Sequence, residues 1–455
     1  MTIRKKVKGN IKIQKFFLIN MVKSKIKNIS ISENKEKLAL LIPVGTGAGG
    51  TVEAADSLAY GLLYLIKENN PDRIVFFTTE LSNKTTLKSL KQQYFDEFGK
   101  ELNKISNFIK INDIDDFEEF YGKITNQIKS LKNYRIIVDY TSGTKTMTMA
   151  ASIAATVNNL ELMFVSGKRG SKNIVEKGTE VLRIQNLDTV HEEKIIEDTE
   201  ELFNLYRFKQ AIEKLESLGL SDNEEMEFNK TSHFFLYAAY NYWDDFNHEV
   251  ALHGFKIHFY KYFNDLSAQI RLNIKALKII NDESNDLQKY YILASLINNA
   301  ERRAEEGKYD DAIARLYRGM ELIANICLDY YSINPNDVDV EKVKDKSDKA
   351  FYNISGKLIR THKGALKMPG IDSMYMLIHN LSTFNNVGQF YFEHRNEYQT
   401  VLQHRNTSIL AHGLEMKDVD DYNDFKKGIM SLAKRLDKNM EVYLEETIFP
   451  KFNTN

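Results

Sequence analysis

Cysteine is all but missing from this chain of 455 residues, which contains one, Cys327. A single thiol excludes an internal disulfide and a thiolate zinc site, and it fits a reducing cytosol. Cys327 lies in the apolar run 322–328 and reads as a small buried hydrophobe rather than a reactive thiol. An excess of charge is missing too: 62 Lys and Arg stand against 63 Asp and Glu, for a formal net charge of −1. No global basic field argues for nucleic-acid binding, so any such binding must rest on local sites. No apolar run approaches the roughly 20 residues that span a bilayer, and no membrane association is expected. Proline is scarce, at 5. Beyond Thr189 no convincing strand run remains, and apolar residues recur at helical spacing.

What is present begins with a basic N-terminus. Residues 1–28 carry nine Lys or Arg and no acid, and the apolar patch 16–19 is too short for a signal-peptide core. Residues 1–30 read as a poorly ordered extension that contains a second candidate start, Met21, rather than as a nucleic-acid-binding arm. From residue 38, short apolar runs alternate with amphipathic stretches. The runs 38–44, 74–78, 108–111, 136–139 and 162–165 read as strands buried on both faces. The stretches 52–67, 117–131 and 144–157 read as helices. In the first, Ala55, Leu58, Leu62 and Ile66 share a face; in the second, Phe120, Ile124 and Ile128 do.

This order predicts an open parallel α/β sheet covered on both faces over residues 31–187. Gly167, Gly170 and Gly178 punctuate a closing hairpin. Residues 188–287 read as a helical connector and 288–455 as an all-helical domain. The connector holds Phe234, Phe235, Tyr237, Tyr240, Tyr242, Trp243 and Phe246, whose helical spacing favours core packing over base stacking. In the last domain Gly307 and Lys308 make a turn, Asp310 or Asp311 caps the next helix, and Ile313, Leu316, Tyr317, Met320 and Ile323 form its buried stripe. The polar stretch 334–349 reads as a loop. His233, His248, His253 and His258 lack the partnering of a metal site and read as structural or exposed.

Ligands of open parallel sheets bind beyond the carboxyl ends of the strands. There the sequence places Gly45-Thr46-Gly47, in a glycine loop ending at Thr51, then Thr79, then Ser142-Gly143-Thr144-Lys145, then Gly167-Lys168-Arg169. Glycines admit close backbone approach, and helix N-termini offer free N–H groups to an anion. With the cations Lys145, Lys168 and Arg169, this rim suits a phosphate-bearing ligand. Two sharper motifs fail. Thr51 stands where a Walker A loop needs Lys, and Glu80 comes too late to hold a dinucleotide's ribose.

A second constellation lies near the C-terminus. Arg405 and His412 are seven apart, which on one helix puts them about 20° from the same face and about 10 Å apart in rise. The pair suits RNA cleavage without metal. A histidine moves protons near neutral pH, and an arginine holds the phosphate and offsets transition-state charge. The nucleophile, a 2′-hydroxyl, is already in the substrate and is absent from DNA. One pair makes a sparse site that a second copy across a two-fold axis would complete.

The tract Asp139-Tyr140-Thr141-Ser142-Gly143-Thr144-Lys145-Thr146 is similar to the Gly-Thr-Lys loop of CARF domains, the Rossmann-like sensors of type III CRISPR systems. Gly45-Thr46-Gly47 matches their first ligand loop. The run 405–413 closely resembles the Arg-x4-6-His motif of HEPN ribonucleases, including Asn406 after the Arg and Gly413 after the His. The upstream run 312–318 resembles an early helix of CRISPR HEPN domains. Together these resemble a CRISPR-associated CARF–HEPN ribonuclease.

The resemblance implies a Rossmann-like parallel sheet, then an all-α connector and an all-α HEPN domain. It implies a cytoplasmic homodimer activated by a cyclic tetra- or hexaadenylate lying over both sets of loops. It implies metal-independent cleavage of single-stranded RNA, with Arg405 and His412 catalytic and Asn406 and Ser408 orienting them. No metal, no other cofactor, no membrane and no stable CRISPR effector complex are implied. Some CARF domains also degrade their ring slowly, and the resemblance leaves open such an activity here, with Lys145 or a loop hydroxyl as its candidates. Two rivals explain less. A CARF regulator needs a helix-turn-helix that is not evident at the C-terminus. A nucleotide-dependent transferase needs an acid cluster near residue 80 or 139, where Asp139 is alone.

Overall fold

The computed structural model describes residues 37–47, 50–170, 174–185, 187–219, 223–255, 263–381, 386–408, 410 and 413–453. The basic extension, His258 and His412 lie outside the described residues. The described residues form two compact units: those within Asn20–Ile196 and Leu218–Glu227, and those within Glu197–Ser217 and Phe228–Asn455.

The first unit is a Rossmann-like sheet. Its strands are β1 (Leu38–Val44), β2 (Arg73–Thr78), β3 (Ser106–Lys110), β4 (Arg135–Asp139), β5 (Glu161–Ser166) and β6 (Val181–Gln185). They lie in the order β3-β2-β1-β4-β5-β6, with β6 alone antiparallel. The helices that follow β1, β3 and β4 are α1 (Val52–Asn69), α4 (Phe117–Ser130) and α5 (Lys145–Val157). The short α2 (Glu80–Lys84) and then α3 (Thr86–Phe98) follow β2.

The pleat divides the apolar residues between two cores. Ala39, Leu41, Val75, Phe77 and Val138 meet the α4 and α5 side chains Phe120, Ile124 and Ala151. Leu40, Ile42, Ile74 and Phe76 meet Leu62, Ile66, Leu87 and Leu90 from α1 and α3. Each buried Val, Leu, Ile or Phe among them contributes about 1.5–3 kcal/mol, so this continuous apolar patterning is what fixes the sheet. β3 differs from the sequence expectation. It is the sheet edge, where Lys110 is exposed and Phe108 and Ile109 are only half-buried.

The second unit is built of helices, with one short hairpin, β7 (Ile359–Arg360) and β8 (Leu366–Lys367). Most of the aromatic stretch is core, as its spacing implied, while Phe246 at its end is exposed. Tyr237, Tyr240 and Trp243 are buried. Tyr240 Oη donates to Asn273 at 2.7 Å and Trp243 Nε1 to Ser295 at 2.8 Å, so burial strands no donor. Cys327 is fully buried, and burial pushes its thiol up to about 12. His233 is buried between Asn229 O and Glu200 Oε1, each at 3.0 Å. Burial pushes His248 down to about 4.

Two local expectations fail. The stretch 334–349 holds a helix, Val340–Lys346, because Asp339 accepts from Glu341 N and Lys342 N and because Val343 is buried. The helix Tyr309–Tyr330 has no side-chain cap. Asp310 instead accepts from Lys417 N at 3.2 Å, and Asp311 takes the Arg315 guanidinium. Among the described residues no helix is long and apolar enough to cross a membrane, and no three His, Cys, Asp or Glu side chains converge as a metal site.

Candidate functional site

A cleft of about 840 Å³ opens at the carboxyl ends of the parallel strands. Gly45, Thr46, Gly47, Thr79, Ser142, Gly143, Thr144 and Arg169 line it. Its two glycine loops interlock. Ser142 Oγ donates to Pro43 O at 2.6 Å and accepts from Gly45 N at 3.2 Å. A Cβ on Gly45 would lie 2.9 Å from Gly143 N, so the loops can meet only because that residue lacks one. Gly47 has φ +82°, and its Cβ would strike the Ala54 carbonyl at 2.6 Å.

The threonines are already employed as helix caps. Thr51 accepts from Ala54 N, Thr79 makes a capping box with Ser82, and Thr144 accepts from Met147 N. Thr144 also donates to Ile114 O at 2.8 Å, which joins the start of α5 to the loop after β3. The end of β3 and that loop make a wall of the cleft the motif reading missed, contributing Lys110, Asn112 and Asp113. Thr51, Lys145, Gly167 and Lys168 do not line the cleft. Lys145 and Lys168 are exposed, and Lys168 Nζ stands 4.0 Å from Glu176. Arg169 reaches the cleft from a segment paired with Val175, whose carbonyl accepts from Ser57 of α1 at 2.9 Å.

Asp139 lies beneath these loops, wholly buried. Burial pushes its carboxyl up to about 7, against the hydrogen bond it accepts from Thr141. Among the described residues its Oδ2 has no hydrogen-bond partner. Thr141 Oγ1 also accepts from Val165 N at 2.8 Å, which ties the loop after β4 to the end of β5.

In the helical unit, Arg395–Thr407 is the helix α6. Arg405 and Asn406 lie in its last turn, and their side chains, with those of His404 and the whole of His412, are outside the described residues. Arg395 opens that helix. It makes a bidentate pair with Asp372 at 2.9 and 2.7 Å.

The tract is not one continuous helix, contrary to the seven-residue spacing, because α6 ends at Thr407. Ser408 is buried, its Oγ accepts from Leu410 N at 3.2 Å, and its carbonyl accepts from Gly413 N at 3.2 Å. Glu415 N then donates to Thr407 O at 3.1 Å. Closure of this turn, not helical periodicity, returns the neighbour of His412 to the end of α6. A Cβ on Gly413 would lie 1.8 Å from Thr407 O, so the turn demands glycine. Spacing could not have revealed Lys417. Its almost buried ammonium donates to Thr407 Oγ1 at 2.9 Å and to Glu415 at 3.0 Å, pinning the turn from outside the motif.

The geometry can be set beside known proteins. The family model of the Csm6 HEPN domain matches residues 282–436. That of the Csa3 CRISPR-associated Rossmann-like domain matches residues 57–175. Csm6 of Enterococcus italicus, solved bound to cyclic hexa-2′-fluoro-hexa-dAMP, shares the fold at a TM-score of 0.56 and 14% identity, over 90% of this chain and 98% of that one. Can2 of Sulfobacillus thermosulfidooxidans, solved in complex with cyclic tetra-adenylate, aligns at a TM-score of only 0.22 and 10% identity, over 45% of this chain and 66% of that one. No curated protein matches the sequence significantly. The Rossmann-like match falls within the sheet unit and the HEPN match within the helical unit. The chain is therefore a CRISPR-associated protein of CARF–HEPN architecture.

Proposed function

We propose that the chain is a cytoplasmic, homodimeric endoribonuclease, activated by a cyclic tetra- or hexaadenylate, that cuts single-stranded RNA without a metal ion in type III CRISPR defence. The observation that supports this most is that the Csm6 HEPN match contains the whole of the Arg405-to-Gly413 tract. Residues 31–187 sense the ring, 188–287 connect, and 288–455 cut; no stable effector complex is needed. The ring's phosphates lie against Gly45, Thr46, Gly47, Ser142, Gly143 and Arg169, with Thr79 and Thr144 at the wall. Lys145 and Lys168 reach the ligand from the exposed rim, and Thr51 and Gly167 act by shaping their loops.

In the HEPN dimer, His412 takes the proton of the 2′-hydroxyl, which attacks the adjacent phosphorus as the bond to the 5′-oxygen breaks. A proton is returned to that leaving oxygen, and a 2′,3′-cyclic phosphate remains. Arg405 holds the phosphate and offsets the charge of the pentacoordinate state. Asn406 and Ser408 orient the pair, Ser408 through the turn it closes.

The test incubates the pure protein with labelled RNA, EDTA and each ring in turn. Cleavage to 2′,3′-cyclic phosphate ends with one ring supports the proposal. Cleavage abolished by EDTA removes the metal-free mechanism, and absence of cleavage with every ring removes the activity. A second outcome follows from the turn at Gly413. Gly413→Ala must displace the Thr407 carbonyl, and it is expected to slow cleavage by about 100-fold while leaving ring affinity unchanged, because a misplacement of about 1 Å costs that much. Initial rates and calorimetric titration of the ring check this.

A further inference from the structure

We infer that the basic hairpin 357–367 of the helical unit is a docking surface for the phosphate backbone of single-stranded RNA. The inference rests on the ribonuclease reading and names where that substrate is held. With a net charge of −1, the chain can hold RNA only at a local concentration of cations. The segment 349–371 is such a place, with five Lys or Arg and no Asp or Glu. Lys357, Arg360, His362, Lys363 and Lys367 are all exposed. Among the described residues Lys357, Arg360, Lys363 and Lys367 form no ion pair, unlike many lysines and arginines elsewhere in the chain.

The hairpin is held in shape. Ile359 pairs with Lys367 and Arg360 with Leu366. Its tip closes through Thr361 N to Ala365 O at 2.8 Å, with Gly364 at φ +83°. Its base is pinned by Val338 N to Leu366 O at 2.6 Å and Met368 N to Pro335 O at 2.8 Å. The segment packed against it brings Asp337 and Asp339. Asp339 is occupied as a helix cap and faces Lys342 at 3.9 Å. Over 337–368 the balance is still eight Lys or Arg to five Asp or Glu.

No residue of the hairpin 357–367 is buried in the core. Its strands are two residues long, and Ile359 is 45% exposed. A ribbon this short has no stability of its own. Just upstream, Tyr352 is 76% exposed, beside Phe351 at 5.5 Å. Cations on a ribbon next to an open ring are what an unpaired strand uses, phosphates on the charges and a base on the ring. The place is also right. Asp372, a few residues beyond the hairpin, grips Arg395 at the start of α6. Arg405 lies ten residues further along that helix, a rise of about 15 Å. A membrane surface fits less well, because Ile359 is the one large apolar side chain the hairpin exposes strongly.

The test uses full-length protein carrying His412→Ala, so that RNA persists. Anisotropy of a labelled single-stranded RNA is followed across a salt series. The parent is compared with a variant in which Lys357, Arg360, Lys363 and Lys367 are all changed to Ser, and with one carrying Lys357→Arg, Lys363→Arg and Lys367→Arg. The charge-removed variant is expected to bind at least about tenfold more weakly at 0.1 M salt, and its salt slope to fall by about 0.7 for each phosphate it no longer neutralises. The arginine variant should bind as the parent does, which separates charge from folding. In the cleaving protein KM for RNA rises by the same factor while kcat holds. Affinity within about twofold of the parent and an unchanged salt slope overturn the proposal. So does a loss confined to vesicles containing phosphatidylserine. A parent that neither binds nor cuts RNA sinks the ribonuclease reading along with it; a cleaving enzyme indifferent to the four Ser changes sinks the hairpin alone.

Discussion

Changing His412 to Ala is expected to lower activator-dependent RNA cleavage by about 10²–10⁴-fold, the usual worth of a positioned general acid or base. Arg405→Ala is expected to fall in the same range, through loss of a charge aimed at the developing phosphorane. Both residues act on one transition state, so the double variant should be little slower than the slower single one. The cleft and its lining residues lie wholly in the sheet unit. Ring affinity should therefore be unchanged in all three variants, which separates a lost chemical step from a lost fold. Initial rates on labelled RNA, paired with calorimetric titration of the ring, check both halves. Cleavage within about tenfold of the parent in His412→Ala would remove that residue from the reaction.

The second large effect concerns Asp139. Its carboxyl is pushed up to about 7 by burial, against 3.8 for an ordinary Asp. A raised carboxyl means that the folded chain keeps a proton the unfolded chain has released. Below about pH 4 both states hold the proton and nothing is lost. As pH rises towards 7 the folded state loses ground by about 1.4 kcal/mol per unit, and above 7 the loss is complete. Between pH 5 and pH 8 the sheet unit should thus lose about 3 kcal/mol on this account. Asp139→Asn cannot ionise and keeps an acceptor for Thr141, so its stability should be flat across that window where the wild type falls. Thermal unfolding followed at half-unit pH steps reads the difference. Parallel curves for the two proteins would show that Asp139 stays ionised. The same ionisation would set a negative charge under the loops that line the cleft, so ring affinity should also weaken as pH rises past 7.

How far the sequence was readable depended on whether a feature was local. The strand runs were legible because a strand buried on both faces must be apolar throughout, and β1, Leu38–Val44, came out at its exact bounds. The partial exposure of β3 was not, since being an edge depends on where other strands pair. The glycine loops were legible because two close backbone approaches leave glycines. The Lys110-to-Ile114 wall was missed, although applying the strand-end rule to the third strand would have reached it. Thr51, Thr79 and Thr144 show why hydroxyls are ambiguous, since a helix N-cap and an anion site ask for the same residue. Periodicity misled at 405–412, where Gly413 and the buried Ser408 hydroxyl fold the chain back after Thr407. Lys417 had no signature at all, because its bond to Thr407 exists only once that turn has closed.

Arg169→Glu tests most directly whether the cleft controls the cutting. Its side chain lines the cleft of the sheet unit and has no place in the helical one. The rate of RNA cleavage, in EDTA, is measured across a titration of each cyclic oligoadenylate. For the variant, the activating concentration of the effective ring should rise by at least about tenfold, the worth of a charge-assisted hydrogen bond to phosphate, while the rate at saturation is retained. Activation curves that superimpose for the two proteins, or cleavage that proceeds at full rate with no ring present, would contradict it.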